Sequence, residues 1–372
     1  MQMINPRKKI CLVVSSLGDG GAEKSSGALS ILLHGMGYEV HVISILNRID
    51  YDYKGTLLNL GELKDKDDSF FGKLKRFTVF FNYLRLQKFD FIIDSRSRPS
   101  LVKQFIINKV LYVNENVIFI IHSFFLNHYI PSNKLFARLL YANAFKVVTV
   151  SKAIQEKLVR KFSFKNVNII YNSVLEDKTL LTLDNVLVPD KFMLFFGRLD
   201  DDVKNLTLLI ESYKLSNLID NNVKLVILGD GKDKTMLEQK VRSMNLSEQI
   251  VFLPYTQNPY SIVRKALCTL LTSKYEGLPT VLIESLSLGV PVISVDCESG
   301  PSEIINNEHN GLLIENYQPD LFANAMNRFV YDDKLYKHCK KNAKESVQKF
   351  SMENISSDWK NILETPSIQY PI

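Results

Sequence analysis

Short apolar runs recur along the whole chain and alternate with stretches in which apolar residues fall three or four positions apart. Five runs lie before residue 151: ICLVVSS (10–16), EVHVISI (39–45), DFIID (90–94), VIFII (117–121) and KVVTV (146–150). Five more follow: FMLFF (192–196), VKLVIL (223–228), IVFL (250–253), CTLLT (268–272) and PVISV (291–295). Apolar strands separated by helices are typical of parallel sheets covered on both faces. The pattern therefore predicts two successive α/β domains, joined by the polar stretch 176–191.

Composition adds constraints on location. The chain has 372 residues, and its four cysteines, Cys11, Cys268, Cys297 and Cys339, lack the spacing of metal ligands. Three of them lie in or beside apolar runs, where a reduced thiol packs as a small apolar group. The apolar run near the N-terminus is too short for an export signal, and no run of about 18 apolar residues predicts a membrane span. These features favour the reducing cytoplasm.

Positive charge is concentrated in the first half of the chain. The formal charge is +6 overall, but residues 69–165 contain 17 lysines and arginines and only four acidic residues. Aromatic residues alternate with these charges in FFGKLKRFTVFFNYLRLQKF and FFLNHYIPSNKLFARLLYANAF. This composition suits an anionic membrane surface or nucleic acid, and it is equally compatible with ordinary solvated helices.

The loops that follow the strands are the candidate sites, because open parallel sheets bind ligands beyond the carboxyl ends of their strands. The first such loop, LGDGGAEKSS (17–26), contains Gly18, Gly20 and Gly21 before a helix, which is typical of an anion site. It lacks the third glycine of the dinucleotide fingerprint, and the second strand ends in Leu-Asn-Arg without a ribose-binding acid. A nicotinamide-dependent dehydrogenase is therefore disfavoured.

The loop FGRLDDDVKN places Arg198 and Lys204 six residues apart, before the helical pattern LTLLIESY. Two cations near a helix N-terminus can hold a diphosphate and stabilise the charge that it gains on leaving. Taken alone, the loop is better explained by surface cations that pair with the run Asp200 to Asp202.

The segment YEGLPTVLIESL (275–286) turns at its Gly-Leu-Pro and begins a helix near Thr280. Free amides at such a turn can bind phosphate oxygens. Glu276 lies in the turn, and Glu284 lies about one turn into the helix that follows. One carboxylate can therefore accept hydrogen bonds from sugar hydroxyls and the other from a ribose.

With these motifs taken together, the chain resembles family 4 of the GT-B retaining glycosyltransferases. The resemblance covers essentially the whole chain and is strongest over 191–315. It runs through Gly20-Gly21-Ala22-Glu23, His122, Gly197-Arg198 with Lys204, Gly229-Asp230-Gly231 and Glu276-x7-Glu284. It implies a GT-B fold, in which two Rossmann-like domains with parallel sheets face a central cleft. Residues 1–185 would bind the acceptor and residues 186–352 the nucleotide-sugar donor, while residues 353–372, with a helix around Trp359, would cross back to the first domain.

The resemblance also implies roles for single residues. Arg198 and Lys204 would hold the donor diphosphate, His122 would lie near the sugar O6 and the reaction centre, and Glu276 would contact the sugar hydroxyls. These four are the candidate catalytic residues. Glu284 would bind the ribose, and Asp94 and Ser123 are candidate acceptor contacts. The remaining donor-binding positions belong to the glycine-rich loops and the turn: Gly20, Gly21, Gly229, Gly277, Leu278, Pro279 and Thr280.

The motif DCESGPSEI (296–304) resembles that of bacterial enzymes that add hexoses or N-acetylhexosamines to lipid-linked or polysaccharide acceptors, which implies a UDP-sugar donor. We expect no metal and no cofactor besides the donor, and the run Asp200 to Asp202 is expected at a helix start. Retention would follow from front-side attack, with the donor phosphate accepting the acceptor's proton. The expected partners are the donor, a glycan or polyprenyl-linked acceptor and the anionic cytoplasmic face of the cell membrane, where the protein would be peripheral; no nucleic acid is expected.

Two alternatives stay open from the residues alone. A UDP-sugar 2-epimerase of the same architecture would use carboxylates for proton transfer at C2, although the Glu276-x7-Glu284 pattern and the basic first half argue against it. A sugar-nucleotide-binding or scaffold protein without turnover is the other, although the presence of Arg198, Lys204 and Glu276 argues against a decayed site.

Overall fold

The computed structural model of the chain describes residues 7–18, 20–174, 187–315 and 317–365. The chain divides into two compact units, Met1–Leu175 with Met352–Ile372, and Glu176–Ser351. The predicted linker, 176–191, lies for the most part outside the described residues. Both units are α/β structures built on a parallel sheet, which confirms the predicted fold class.

The described residues of the first unit form one parallel sheet. Its strands are β1 (Lys9–Val14), β2 (Glu39–Ser44), β3 (Thr56–Asn59), β4 (Phe91–Asp94), β5 (Val117–Ile121), β6 (Lys146–Thr149) and β7 (Val167–Ile169). They lie in the order β3-β2-β1-β4-β5-β6-β7, with Ile10 of β1 opposite Val40 of β2 and Phe91 of β4. The central strands are buried from end to end because helices cover both faces of the sheet.

The helices of this unit lie between successive strands, except that β3 follows β2 without a helix and two helices separate β3 from β4. They are α1 (Gly21–Gly35), α2 (Leu60–Lys66), α3 (Phe70–Gln87), α4 (Leu101–Ile106), α5 (Lys134–Tyr141) and α6 (Lys152–Phe162). A π-helical turn, Ile107–Leu111, continues α4, and a 3-10 turn spans Leu126–His128.

The second unit contains a six-stranded parallel sheet within the described residues. Its strands are β8 (Phe192–Phe196), β9 (Lys224–Leu228), β10 (Ile250–Leu253), β11 (Thr269–Leu271), β12 (Val292–Val295) and β13 (Gly311–Ile314), in the order β10-β9-β8-β11-β12-β13. The helices are α7 (Asp201–Lys204), α8 (Leu206–Leu215), α9 (Lys234–Ser243), α10 (Tyr260–Lys265), α11 (Thr280–Ser287), α12 (Pro301–Ile304), α13 (Pro319–Tyr331) and α14 (Asp333–Ser346), followed by a 3-10 turn at Gln348–Phe350.

Strand β8 shows why the predicted runs are continuously apolar. Phe192, Leu194 and Phe196 pack into the apolar layer on one face of the sheet. Met193 and Phe195, which alternate with them, pack into the larger layer on the opposite face. Since both faces are covered, every position of the strand is buried and none is left for a polar residue.

The last helix, α15 (Met352–Leu363), belongs to the first unit. It packs against α1, and the Lys8 Nζ donates a hydrogen bond to the Leu363 carbonyl at 2.6 Å. Its buried side chains include Ile355 and Trp359.

All four cysteines are buried and free. Burial raises the pKa of the Cys268 thiol well above its ordinary value. In the described part of the chain, every helix is too short or too polar to cross a membrane.

Each sheet has a topological switch point beside its first strand. Strand β1 lies between β2 and β4, and β8 lies between β9 and β11. The order in which the chain adds strands to each sheet therefore reverses direction at β1 and at β8. A crevice forms at such points at the carboxyl edge of the sheet. The loops after β1, β4, β8 and β11 are therefore the positions where the fold favours a ligand.

Candidate active site

The carboxyl ends of β8 and β11 bring Lys204 and Glu276 into contact. Lys204 Nζ lies 2.6 Å from Glu276 Oε1, and the two side chains are 17% and 12% exposed. Ser273 Oγ donates to the same carboxylate oxygen at 2.7 Å, and Thr272 Oγ1 donates to the Lys204 carbonyl at 2.9 Å. Lys204 and Glu276, which were predicted separately from the sequence, thus form a largely buried ion pair that the residues after β11 support.

The turn after Glu276 is fixed by the loop that follows β12. Ser299 Oγ donates to the Gly277 carbonyl at 2.8 Å. Gly300 has φ of +101°, and a Cβ there would collide with the Pro279 ring, so only glycine fits. Helix α11 begins at Thr280 without a side-chain cap. Its first-turn N–H groups thus present partial positive charge at the turn, beside Glu276.

Glu284 lies one turn into α11, as predicted from its spacing, and its side chain is 3% exposed. Burying a carboxylate is costly unless polar groups face it. The eight-residue spacing therefore puts one acid in the turn and a second, shielded acid inside the helix that starts there.

Arg198 is exposed, and its guanidinium has no hydrogen-bond or ion-pair partner among the described residues. The neighbouring acids are engaged elsewhere. Asp201 caps α8 by accepting hydrogen bonds from Thr207 N (2.7 Å) and Thr207 Oγ1 (2.8 Å), and Asp202 pairs with Lys232 at 2.6 Å. The local pairing of Arg198 with this acidic run, which the sequence allowed, is therefore not what the structure shows.

Carboxylates of Asp200, Asp202 and Asp233 approach one another closely enough to hold a cation. Lys232 Nζ lies 2.6 Å from Asp202 and 3.3 Å from Asp200, and its hydrogen bonds to these carboxylates raise the pKa of Lys232. A lysine ammonium thus already balances part of the negative charge of this cluster, which forms a salt-bridge network at the surface.

Gly229 has a packing role. Its φ is +151°, and a Cβ would collide with the Gly197 carbonyl of the adjacent loop. Its N–H donates to the Leu253 carbonyl at 3.0 Å, so this amide is not available to a ligand. The glycine is required for the close approach of the loops after β8 and β9.

In the first unit, the glycine-rich loop leads into α1 as predicted. Gly20 is the N-cap residue in an extended conformation, Gly21 is the first helical residue and is exposed, and no side chain caps this helix start. The carboxylate of Glu23 lies close to Gly20, so an acidic side chain of the first turn already faces this positive end of the helix.

His122 follows β5 directly, and its Nε2 lies 2.7 Å from Ser95 Oγ, which follows the adjacent strand β4. Burial, with the nearby charge of Arg98, lowers the pKa of His122 to about 3, so the ring is neutral at physiological pH. Ser123 Oγ accepts a hydrogen bond from Phe125 N at 3.1 Å and stabilises the loop.

Asp94 is fully buried and cannot contact an acceptor, contrary to the expectation from the resemblance. Arg96 binds its carboxylate with Nε at 3.0 Å and Nη2 at 2.6 Å, and Tyr112 OH donates at 3.1 Å. Burial alone would raise the pKa of Asp94, but the guanidiniums of Arg96 and Arg98 lower it overall. Asp94 therefore holds the loop after β4 in place, and with it Ser95.

Comparison with known proteins gives the chain a family. The model for glycosyl transferases group 1 matches residues 185–346. The N-acetylgalactosamine-N,N'-diacetylbacillosaminyl-diphospho-undecaprenol 4-alpha-N-acetylgalactosaminyltransferase of Campylobacter jejuni is 31% identical over 367 residues, which cover 94% of this chain and 98% of that protein. The chain belongs to the group 1 glycosyltransferases. The comparison confirms the glycosyltransferase family that the sequence resemblance indicated. It favours neither the epimerase nor the scaffold alternative.

One further curated protein and one solved structure are also similar to this glycosyltransferase. AmsD, the amylovoran biosynthesis glycosyltransferase of Erwinia amylovora, is 26% identical over 96% of this chain and 99% of its own. The crystal structure of HepE from Anabaena, in complex with UDP and glucose, has a TM-score of 0.75 at 18% identity and covers 96% of this chain and 99% of that one. The structural match shows a shared GT-B fold.

Sequence reasoning missed several polar residues of this glycosyltransferase that hold the candidate side chains. Ser273 supports Glu276, Ser95 supports His122, and Ser26 of α1 contacts Ser95. Ser95 and Ser273 immediately follow predicted strands, so their position was a usable signal. A lone serine after a strand is too common to be selected without the geometry of its neighbour.

Proposed function

We propose that this glycosyltransferase moves a hexose or N-acetylhexosamine from a UDP-sugar to a lipid-linked glycan acceptor in bacterial surface-polysaccharide synthesis. The observation that carries the proposal is the Lys204–Glu276 pair beside the uncapped start of α11. The relative from Campylobacter jejuni is named for a diphospho-undecaprenol-linked acceptor, and HepE was crystallised with UDP and glucose. Both names support the proposed substrates.

The arrangement suits departure of a nucleoside diphosphate. Negative charge develops on the diphosphate as the sugar leaves, and Lys204, Arg198 and the first-turn amides of α11 supply fixed positive charge. These cations do what a divalent metal does in other transferases, so we propose a metal-independent reaction. Glu276 accepts from Lys204 and Ser273 through one oxygen, which leaves the other for sugar hydroxyls.

We propose retention of configuration by front-side attack, in which the acceptor oxygen bonds to the anomeric carbon as the diphosphate oxygen leaves it, and the acceptor's proton passes to the donor phosphate. A carboxylate that is ion-paired and hydrogen-bonded is a weak nucleophile, so Glu276 is assigned to binding and not to a covalent intermediate.

The proposal is tested by incubating the protein with a panel of UDP-, GDP- and ADP-sugars, an undecaprenyl-diphosphate-linked glycan and EDTA. We expect acceptor-dependent release of UDP and a product that retains the anomeric configuration in its NMR spectrum. Turnover with GDP- or ADP-sugars alone, turnover that requires an added divalent cation, or an inverted product would contradict the donor, the metal independence or the stereochemistry, respectively.

We also propose that the protein binds the anionic cytoplasmic membrane surface through α4, its π-helical continuation and α5. These segments are adjacent, since Asn108 Nδ2 donates to the Leu140 carbonyl at 2.8 Å. Exposed apolar side chains project from both: Val102, Phe105, Ile106, Val110, Leu135, Phe136 and Leu139. Leu135 is 73% exposed although the opposite face of the same helix packs Ala137 and Leu140 into the core.

The charges around this face suit lipid phosphates. Lys103, Lys109, Lys134 and Arg138 are exposed, and residues 99–114 and 123–145 contain no acidic residue. Each basic residue near an anionic surface contributes about 1 kcal/mol, and apolar side chains inserted at the interface add to it. An apolar face ringed by positive charge is the composition of a peripheral membrane anchor.

Co-sedimentation with vesicles of phosphatidylcholine, with and without phosphatidylglycerol, tests the membrane proposal. We expect binding that needs phosphatidylglycerol, weakens in salt and falls at least about 10-fold in a Phe105→Gln, Leu135→Gln, Leu139→Gln variant. The matched control replaces the exposed apolar residues Leu215, Met236 and Leu321 of the second unit with glutamine and is expected to bind normally. Equal binding to both vesicle types, or tighter binding to RNA in a parallel arm, would overturn the proposal.

A further inference from the structure

Three side chains of the first unit form a continuous hydrogen-bonded line. Ser26 Oγ lies 2.7 Å from Ser95 Oγ, which lies 2.7 Å from His122 Nε2. At the other end, Ser26 Oγ donates to the Ala22 carbonyl at 2.8 Å. Both serines are buried, so the line is shielded from water. It joins α1 to the ends of β4 and β5.

The line has a direction, because each hydroxyl carries a single hydrogen. A carbonyl can only accept, so the hydrogen of Ser26 points to Ala22. Ser26 must then accept from Ser95, which uses the only hydrogen of Ser95. Ser95 can in turn only accept from the ring, so His122 Nε2 carries the proton.

The other ring nitrogen is consequently a bare acceptor. A neutral imidazole has one N–H, and with that hydrogen on Nε2, Nδ1 keeps a free lone pair. His122 Nδ1 is buried, and no hydrogen-bond partner for it lies among the described residues. The ring lines a pocket whose walls also include Asn172 and Trp359. A buried acceptor without a partner is costly unless a ligand or an ordered water supplies a donor.

We propose that Ser26 and Ser95 are positioning residues that hold His122 in the Nε2–H tautomer, so that Nδ1 accepts a hydrogen bond from a sugar hydroxyl. This chemistry selects a neutral hydroxyl at this atom and repels phosphate or carboxylate oxygens, which are acceptors as well. The assignment of this hydroxyl to a sugar rests on the proposed function. The assignment of the tautomer does not depend on that function.

The tautomer can be measured directly by long-range ¹H–¹⁵N correlation NMR of protein labelled at histidine. The chain has six histidines, and the spectrum of a His122→Gln variant identifies the signals of His122. We expect a pyrrole-like shift for Nε2 and a pyridine-like shift for Nδ1 at neutral pH. A pyrrole-like Nδ1 would overturn the proposal, even if the protein proves to be an active transferase.

Two serine variants test the relay. Ser26→Ala frees the Ser95 hydroxyl to donate to Nε2, and we expect the ring signals to shift toward the Nδ1–H tautomer. Ser30→Ala is the matched control, because Ser30 is also a buried serine of α1 that donates to a backbone carbonyl, that of Gly27, at 2.6 Å. Unchanged ring shifts in Ser26→Ala, or equal shifts in both variants, would show that the line does not set the tautomer.

Steady-state kinetics with a sugar nucleotide that the enzyme uses distinguishes a loss of His122 positioning from a loss of folded protein. We expect Ser95→Ala to raise KM for the sugar substrate about 3- to 10-fold, the usual worth of one hydrogen bond, with a smaller change in kcat. Ser95→Thr restores a hydroxyl and is expected to recover most of the loss. A Ser95→Ala enzyme with normal KM would contradict the role of the relay in substrate binding, while leaving the donor-site proposal standing.

Discussion

Replacing Lys204 with methionine is expected to lower kcat about 10²- to 10³-fold, the effect of removing one preorganised charge from a developing oxyanion. Its Nζ lies at the end of α7, 2.6 Å from Glu276, where Thr272 and Ser273 hold both partners of the pair. Because the cation is fixed before the reaction, little reorganisation is needed when the diphosphate gains charge. The measurement is steady-state release of nucleotide with a sugar nucleotide that the enzyme uses.

Lys232→Met is the matched control for that experiment. Lys232 is also a lysine of the second unit that lies 2.6 Å from a carboxylate, that of Asp202, but it belongs to the exposed acidic cluster. We expect its kcat to stay within about twofold of the wild type, since exposed ion pairs contribute little. A folded Lys204→Met protein with normal kcat would remove Lys204 from the mechanism.

Replacing Arg198 with alanine is expected to weaken UDP binding about 10- to 100-fold, the usual loss when a charge-assisted hydrogen bond is removed. Arg198 follows the first strand of the second unit, and its guanidinium has no hydrogen-bond or ion-pair partner within the described residues, so its removal breaks no such bond there. The thermal midpoint should therefore stay unchanged while affinity falls. Calorimetric titration and a melting curve of the same preparation separate the two effects.

Arg264→Ala provides the comparison for Arg198. Arg264 is likewise an exposed arginine of the second unit, but it lies near the end of α10, just before β11 begins, and thus at the opposite edge of the sheet. It should bind UDP as the wild type does. Equal losses in both variants would mean that UDP responds to general charge and not to a site at Arg198.

Every interior strand of the two sheets was predicted from its apolar run, and so was one edge strand, β10. All ten apolar runs are strands, whereas Thr56–Asn59, Val167–Ile169 and Gly311–Ile314 were not predicted. These three lie at the edges of the two sheets. An edge strand has fewer neighbours to bury it, so its pattern is shorter and less apolar, and β3 and β7 are indeed only partly buried.

Some features of the candidate site could likewise be predicted from the sequence, and others could not. Spacing alone placed Glu276 in a turn and Glu284 about one turn into the following helix, because both lie in one continuous segment. The contact between Lys204 and Glu276, 72 positions apart, depends on two parallel strands that are adjacent in the sheet although distant in sequence. Asp94 shows the converse: its place at a strand end suggested a ligand contact, but Arg96 and Tyr112 occupy its carboxylate.

The most direct test of the donor site is calorimetric titration of the wild-type protein with UDP, GDP and ADP in the presence of EDTA. We predict that UDP binds without a divalent cation and more tightly than GDP or ADP. Absence of UDP binding in EDTA, or a preference for either other nucleotide, would contradict a UDP-sugar site built on Arg198, Lys204 and the turn at Glu276.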